Sequence, residues 1–506
     1  MPCHIVQKSV SRNFKKAAVC AGADECAEIG LSILKKGGTA VDSAIATMIC
    51  NGLVHMHIAG YGGGFFMTIY QSDTKKVSFL NAKEESPKET TEYSYKQLPL
   101  DAKSGLRIAV PGEIAGYAEA HKKFGSGKIS WSELFQPTID LCKNGFKITK
   151  TLHDALEKSQ SDIENDETLR ELFMDNKTNS QSLKREGQLV NQTTLCKTLA
   201  TIALNGSSEF YNGTLTKTIV DDLQKQDLPS IITEDDFSNY KAEWLEPLSI
   251  KLSNDLTLHT SNVPSSGGLL TLIMNILDEF NFTPNSLNDY AKSIKKKINE
   301  TKTSNTESDY GGKESVNDQG TAQVSVIDSK GNAVSATSSI NAPFGSGIVS
   351  KSTGLIFNNA MDAFWTPTVT GPTGGEESQD GNRIDAQKKP LSSMLPTIIT
   401  DSKGDVKVVI GGTGGTKIIT SVLARYLWMG ENMKTAIDAN RIHYQDIVMK
   451  VGTEKMDNVA QKLKKNYGHR VVLLKEPHSA ICSLSKENGI INGVADGRRG
   501  GNVTGE

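Results

Sequence analysis

The sequence predicts an α/β fold, and three observations carry that expectation. Asp24–Lys36 sets apolar residues at helical spacing and stops at Gly37-Gly38, a C-terminal cap signal; Thr39–Leu53 is small-residue-rich and almost wholly apolar, as a buried helix would be. A glycine cluster, Gly60-Tyr61-Gly62-Gly63-Gly64, then opens into two short apolar runs, Phe65–Tyr70 and Val77–Ala82, which read as paired strands. Far downstream, Thr321–Asp328 and Asn332–Asn341 flank the turn Ser329-Lys330-Gly331 and read as a β-hairpin.

Between these landmarks the signals are weaker. Arg107–Val110 followed by Pro111-Gly112-Glu113 suggests a strand, a turn and a helix start, and residues 112–275 read as mostly helical with polar loops. Asn285–Asn317 is dominated by Lys, Ser, Thr, Asn and Glu, which predicts a mobile, solvated segment with a short basic helix around Ile294–Ile298. If the hairpin after it is centred near Lys330, Thr321 sits opposite Ser339 with Asn341 close by. Hydroxyl residues are common in strands, so the pairing alone does not make a site.

Composition narrows the function classes. The 506 residues carry a net charge of −2, against a nucleic-acid or anionic-membrane binder. At 37% apolar content a chain this long still builds a sizeable core. No run of 18 apolar residues occurs, and the N-terminal stretch shows no hydrophobic signal region. Seven cysteines without a CxxC or HExxH pattern suggest neither a disulfide miniprotein nor a metal site. Gly411–Lys417 (GGTGGTK) fails the Walker phosphate pattern, because Thr416 precedes the lysine. Neither cofactor nor metal is expected.

Three segments together carry a resemblance: Gly37–Gly64, Asp318–Asn359 and Pro390–Thr416, supported by Ile108–Gly116, Leu134–Pro137, Phe210–Gly213 and Asp496–Gly501. They resemble the signatures of the γ-glutamyltransferase (glutathione hydrolase) family, in the family's order, from about Lys16 to the C-terminus. The resemblance implies a four-layer αββα sandwich of the N-terminal-nucleophile hydrolase type. It implies a precursor that cuts itself between Gly320 and Thr321, giving a large chain, 1–320, and a small catalytic chain, 321–506. Thr321 would be the nucleophile, its freed α-amine (pKa ~7.7–8) serving as base. Ser339 stands where the family has a threonine bonded to the nucleophile. Asn341 matches the residue at the substrate's α-amino group, and Ser392 and Ser393 match the α-carboxylate pair. Gly414 and Gly415 match the oxyanion hole. The substrates implied are glutathione and related γ-glutamyl amides, with water or an amino acid as acceptor.

The same comparison exposes departures. Ala360 and Ala363 occupy positions where the family places acidic or amide groups; Asp362 between them is the remaining substrate-binding candidate on this segment, although it would point away on a strand-like path. Lys83 replaces an arginine that clamps the α-carboxylate, losing the bidentate fork. A helical stretch before the cleavage site is shortened. These changes open two alternatives, a pseudoenzyme acting by binding and an acylase with an apolar acyl pocket. Cys26 and Cys50 match a disulfide pair of animal members, and Cys3, Cys20, Cys142, Cys196 and Cys482 are left as mostly plain buried thiols. Seven Asn-x-Ser/Thr sequons, at Asn176, Asn191, Asn205, Asn212, Asn281, Asn299 and Asn502, lean weakly with the family towards an extracellular location.

Overall fold

The computed structural model describes residues 8–92, 103–175, 182–281, 296–298, 320–365, 380–445, 448–452, 457–474 and 479–506. The expected mobile segment, Asn285–Asn317, lies outside them apart from 296–298.

The early helices form where capping and apolarity place them. Asp24–Lys35 is followed by Ala40–Val54, which Thr39 starts with a reciprocal capping box: the Asp42 N–H donates to Thr39 Oγ1, and the Thr39 N–H donates to Asp42 Oδ2. Every residue of the second helix is buried, including the polar Asp42, Ser43, Thr47 and Asn51 among its mostly small and apolar neighbours.

Two seven-stranded antiparallel sheets form the centre. The first runs Asn502–Gly505, Ala18–Ala21, Gly320–Ile327, Ala333–Asn341, Gly64–Gln71, Lys76–Ala82 and Glu243–Leu245. The second runs Val10–Phe14, Ile490–Ala495, Ile481–Glu487, Val406–Gly412, Thr397–Thr400, Leu256–Thr260 and Leu248–Leu252. Ala18, Tyr70, Ile327, Ile398, Val409 and Leu484 pack between them. Side-chain hydroxyls also cross this interior: Thr68 donates to the Pro396 carbonyl (2.8 Å) and Ser335 to that of Ile410 (2.9 Å). The helices Asp24–Lys35 and Ala40–Val54 cover the outer face of the first sheet. Helices Gly267–Asn281 and Gly415–Trp428 cover that of the second. The result is the αββα sandwich. Each sheet takes strands from both sides of residue 320, so neither part of the chain holds a complete sheet.

Several expectations need correction. Arg107–Val110 is not a strand: Gly105–Arg107 is a 3₁₀ turn, and Val110 makes only an isolated bridge to Glu85. Within the stretch read as helical, Glu243–Leu245, Leu248–Leu252 and Leu256–Thr260 are sheet strands; the alternation of Leu248, Ile250 and Leu252 was their signal. Cys26–Cys50 forms as the resemblance implied, closing a loop that contributes about 3 kcal/mol on a chain-entropy argument. Cys20, Cys142, Cys196 and Cys482 are not plain thiols. They pair as Cys20–Cys482 and Cys142–Cys196, across separations of 462 and 54 residues that sequence spacing cannot connect. Asn502 is buried within an edge strand and so is no glycan acceptor as folded, whereas Asn191, Asn205 and Asn212 are exposed. Among the described residues no helix is long and apolar enough to cross a membrane.

Candidate active site

The hairpin register is the expected one: Thr321 lies opposite Ser339. The register slips by one residue at the next pair, Gly320 opposite Asn341, leaving a bulge between Gly320 and Thr321. Ile340, skipped by the ladder, donates its N–H to the Ile58 carbonyl at 3.2 Å. The glycine cluster explains why the chain comes this close: a Cβ on Gly63 would sit 2.3 Å from the Ser339 carbonyl oxygen, and one on Gly62 2.1 Å from that of Ile356. The two glycines let residues 55–63 cradle the end of the hairpin.

At this bulge the Ser339 hydroxyl donates to the Gly320 carbonyl and accepts the Asn341 N–H at 2.8 Å. Asn341 adopts φ +77°, a left-handed conformation that asparagine tolerates better than most residues. Its Nδ2 donates to the Asn359 carbonyl (3.1 Å), while Asn359 Oδ1 accepts the Ala342 N–H (3.0 Å). Asn359 Nδ2 reaches Asp362 Oδ2 at 2.9 Å, and Arg107 pairs with the same oxygen at 3.1 Å. The path through Ala360–Ala363 is a 3₁₀ turn rather than a strand. Asp362 is therefore linked to Asn341 through Asn359, and Arg107 opposes its charge. Ala360 is fully buried against Ala109, Met361, Phe364 and Ile384.

Gly414 and Gly415 stand at φ +92° and +63°, where a side chain would be strained. They begin helix Gly415–Trp428, whose first N–H groups and dipole favour negative charge. Ser393 packs directly on Gly415: a Cβ there would meet Ser393 Cβ at 2.9 Å. Ser392 is buried, its N–H bonded to the Pro264 carbonyl at 2.9 Å. Lys83 is also buried, 1% exposed, with Nζ 2.7 Å from Glu84 Oε2.

A pocket is lined by Thr321 and Thr413, the residue before the two glycines, together with His55, Gln323, Cys482 and Arg499. His55, Gln323, Thr413 and Arg499 all fall inside segments that carry the resemblance, but sequence reading gave none of them a role. Burial, reinforced by the Arg499 charge, pushes the His55 pKa down to about 4, so the imidazole is neutral at pH 7. His57 is shifted the same way, by burial and then by His55 and Arg499.

Glu113, at the start of helix Glu113–Phe124, was missed as well. Its carboxylate accepts from Tyr117 (2.5 Å) and from Ser338 (2.9 Å), the neighbour of Ser339. Burial, which outweighs those bonds and is aided by the Glu84 charge, pushes its pKa up to about 8 from 4.5. Between these values the native chain keeps a proton that the unfolded chain has lost. Its contribution to stability is full below pH 4.5 and falls by about 1.4 kcal/mol per unit as pH rises towards 8. Glu113→Gln should remove that slope. The difference in urea midpoint between wild type and variant at pH 5 and pH 8 measures it; an unchanged difference would refute the assignment.

The fold is that of the N-terminal-nucleophile hydrolases. The chain superposes on cephalosporin acylase from Bacillus halodurans with a TM-score of 0.81, over 100% of this chain and 98% of that one, at 21% identity, a likeness of fold alone. The chain belongs to the γ-glutamyltranspeptidase family, whose signature matches residues 26–289 and 286–506. It is 35% identical to Scoloptoxin SSD14 of Scolopendra dehaani over 97% of this chain and 92% of that protein. It is 34% identical to Glutathione hydrolase 2 of Arabidopsis thaliana (87% and 82%) and 31% identical to Glutathione hydrolase 5 proenzyme of Mus musculus (97% and 93%).

Proposed function

We propose that the chain is a self-cleaving γ-glutamyl hydrolase and transferase whose nucleophile is Thr321. The observation that carries this reading is the Ser339 hydroxyl donating to the Gly320 carbonyl, the carbonyl of the Gly320–Thr321 peptide that must be cut, at a bulge between those two residues. Thr321 Oγ1 attacks that carbonyl carbon, the acyl group passes from nitrogen to oxygen, and water opens the ester. The chain 1–320 then ends at Gly320 and the chain 321–506 begins with a free threonine amine. The proenzyme name of the mouse relative supports this order of events.

The new amine, with a pKa near ~7.7–8, takes the proton of its own hydroxyl at neutral pH. The buried, neutral His55 and His57 are not required for that step. The hydroxyl attacks the γ-carbonyl of glutathione or a related amide, and the oxyanion forms against the N–H groups of Gly414 and Gly415. The amine leaves, and water or an amino acid resolves the ester. Asn341 faces the substrate's α-amino end; Ser392, Ser393 and Lys83 serve its carboxylate.

A second reading, a cleaved or uncleaved binding protein without turnover, draws on Ala360, Ala363 and the charge of Lys83 being taken by Glu84. Release of nitroaniline from γ-glutamyl and glutaryl p-nitroanilides separates the two. Turnover of either substrate, lost in Thr321→Ala, is the expected result. No release from either by cleaved protein selects the binding reading. Three disulfides, with exposed sequons at Asn191, Asn205 and Asn212, support passage through an oxidising compartment and an extracellular location.

A further inference from the structure

Cys20 and Cys482 are bonded to each other from different sheets. Cys20 sits in strand Ala18–Ala21, opposite Ser325. Cys482 sits in strand Ile481–Glu487, opposite Gly411. The Ser325 hydroxyl donates to the Cys482 carbonyl at 3.0 Å, so the disulfide spans the sandwich interior where the two sheets are already hydrogen-bonded through side chains. Both sulfur-bearing residues are buried, and Cys482 lines the Thr321 pocket.

Chain order gives this bond a meaning that the other two lack. Cys26–Cys50 and Cys142–Cys196 lie wholly before residue 320, whereas Cys20 precedes it and Cys482 follows it. We propose that Cys20–Cys482 is a covalent tether between the two chains, so that the mature protein is a disulfide-linked heterodimer; this rests on the cleavage at Gly320–Thr321 argued above. In the uncut chain the bond closes a ring that contains the scissile peptide. Hydrolysis of that peptide opens the ring and releases neither arm. Two thiols lose two electrons and two protons to form the bond, passing them to a partner disulfide that leaves as two thiols, as in compartments with thiol–disulfide exchange.

The tether makes re-pairing of separated strands intramolecular, with an effective concentration set by the linkage rather than by the protein concentration. That matters because each sheet is completed only by strands from both chains.

Electrophoresis of purified protein, alkylated during denaturation to stop exchange, decides the proposal. Without reductant a single species of full-length mass is expected, and with reductant two, corresponding to 1–320 and 321–506. Two species in both lanes would overturn the tether and leave cleavage standing. One species in both lanes would overturn cleavage, and the tether with it. A non-reducing digest gives an answer without any variant: peptides holding Cys20 and Cys482 should travel as one mass and part on reduction. Finding either cysteine alkylated before reduction in most molecules would refute the bond. In the variant Cys20→Ala, the cleaved protein should show two species in both lanes.

Discussion

Thr321→Ala protein will run as one full-length chain on a reducing gel, whereas the wild type resolves into 1–320 and 321–506. The substitution removes the hydroxyl that the proposed mechanism uses to attack the Gly320 carbonyl, and it leaves the backbone ladder in place. The small chain's first residue, read by N-terminal sequencing, should be threonine. A cut at any other position, or wild-type protein that stays whole after long incubation, contradicts the mechanism. Ser339→Ala tests the same step more finely. It deletes the donor to the scissile carbonyl and the acceptor for the Asn341 N–H. Loss of one such donor costs on the order of 10²–10³ in rate. Ser339→Thr keeps the hydroxyl and should cleave at close to the wild-type rate. If Ser339→Ala cleaves as fast as wild type, the hydroxyl holds the hairpin end without assisting the reaction.

How much of this was legible in the sequence depended on whether the signal was local. The Thr321–Ser339 pairing was, because a tight turn fixes register by counting. The helices Asp24–Lys35 and Ala40–Val54 were, because capping and apolar spacing are short-range. The glycine cluster was visible as a motif, but its reason, backbone approach to Ser339 and Ile356, exists only once distant segments are packed. The disulfides divide the same way: Cys26–Cys50 came from resemblance, while Cys20–Cys482 joins opposite ends of the chain. Glu113 and His55 gave no sign, since burial created their shifted pKa values and burial is a property of the whole fold. Whether Ala360–Ala363 follows a strand-like path was open from the sequence, and the 3₁₀ turn it forms is set by packing around Ala360 rather than by a local signal.

A γ-glutamyl anilide should show little advantage over a glutaryl anilide, within about tenfold in kcat/KM. The two differ only in the α-amino group. Both carry the carboxylate, so whatever Ser392, Ser393 and Lys83 contribute cancels in the ratio. What remains is the partner set for an ammonium. Asn341 can offer its side-chain oxygen, its Nδ2 being a donor already bonded to Asn359. Asp362 is nearby through Asn359, but Arg107 holds its charge and burial raises its pKa. Ala360 and Ala363 offer nothing. Two missing charge-assisted bonds at about 1.5–3 kcal/mol each remove a factor of roughly 10²–10⁴ from the preference. Ala363→Asp should restore one such bond and raise kcat/KM for the γ-glutamyl substrate by about 10–10²-fold, leaving glutaryl hydrolysis unchanged. Ala360→Glu is the poorer rescue, since that site is sealed by Ala109, Met361, Phe364 and Ile384 and would bury an unpaired carboxylate. A wild-type preference for γ-glutamyl above 10²-fold, unimproved by Ala363→Asp, would mean that Asp362 exchanges Arg107 for the substrate. Arg107→Ala should then strengthen the preference further.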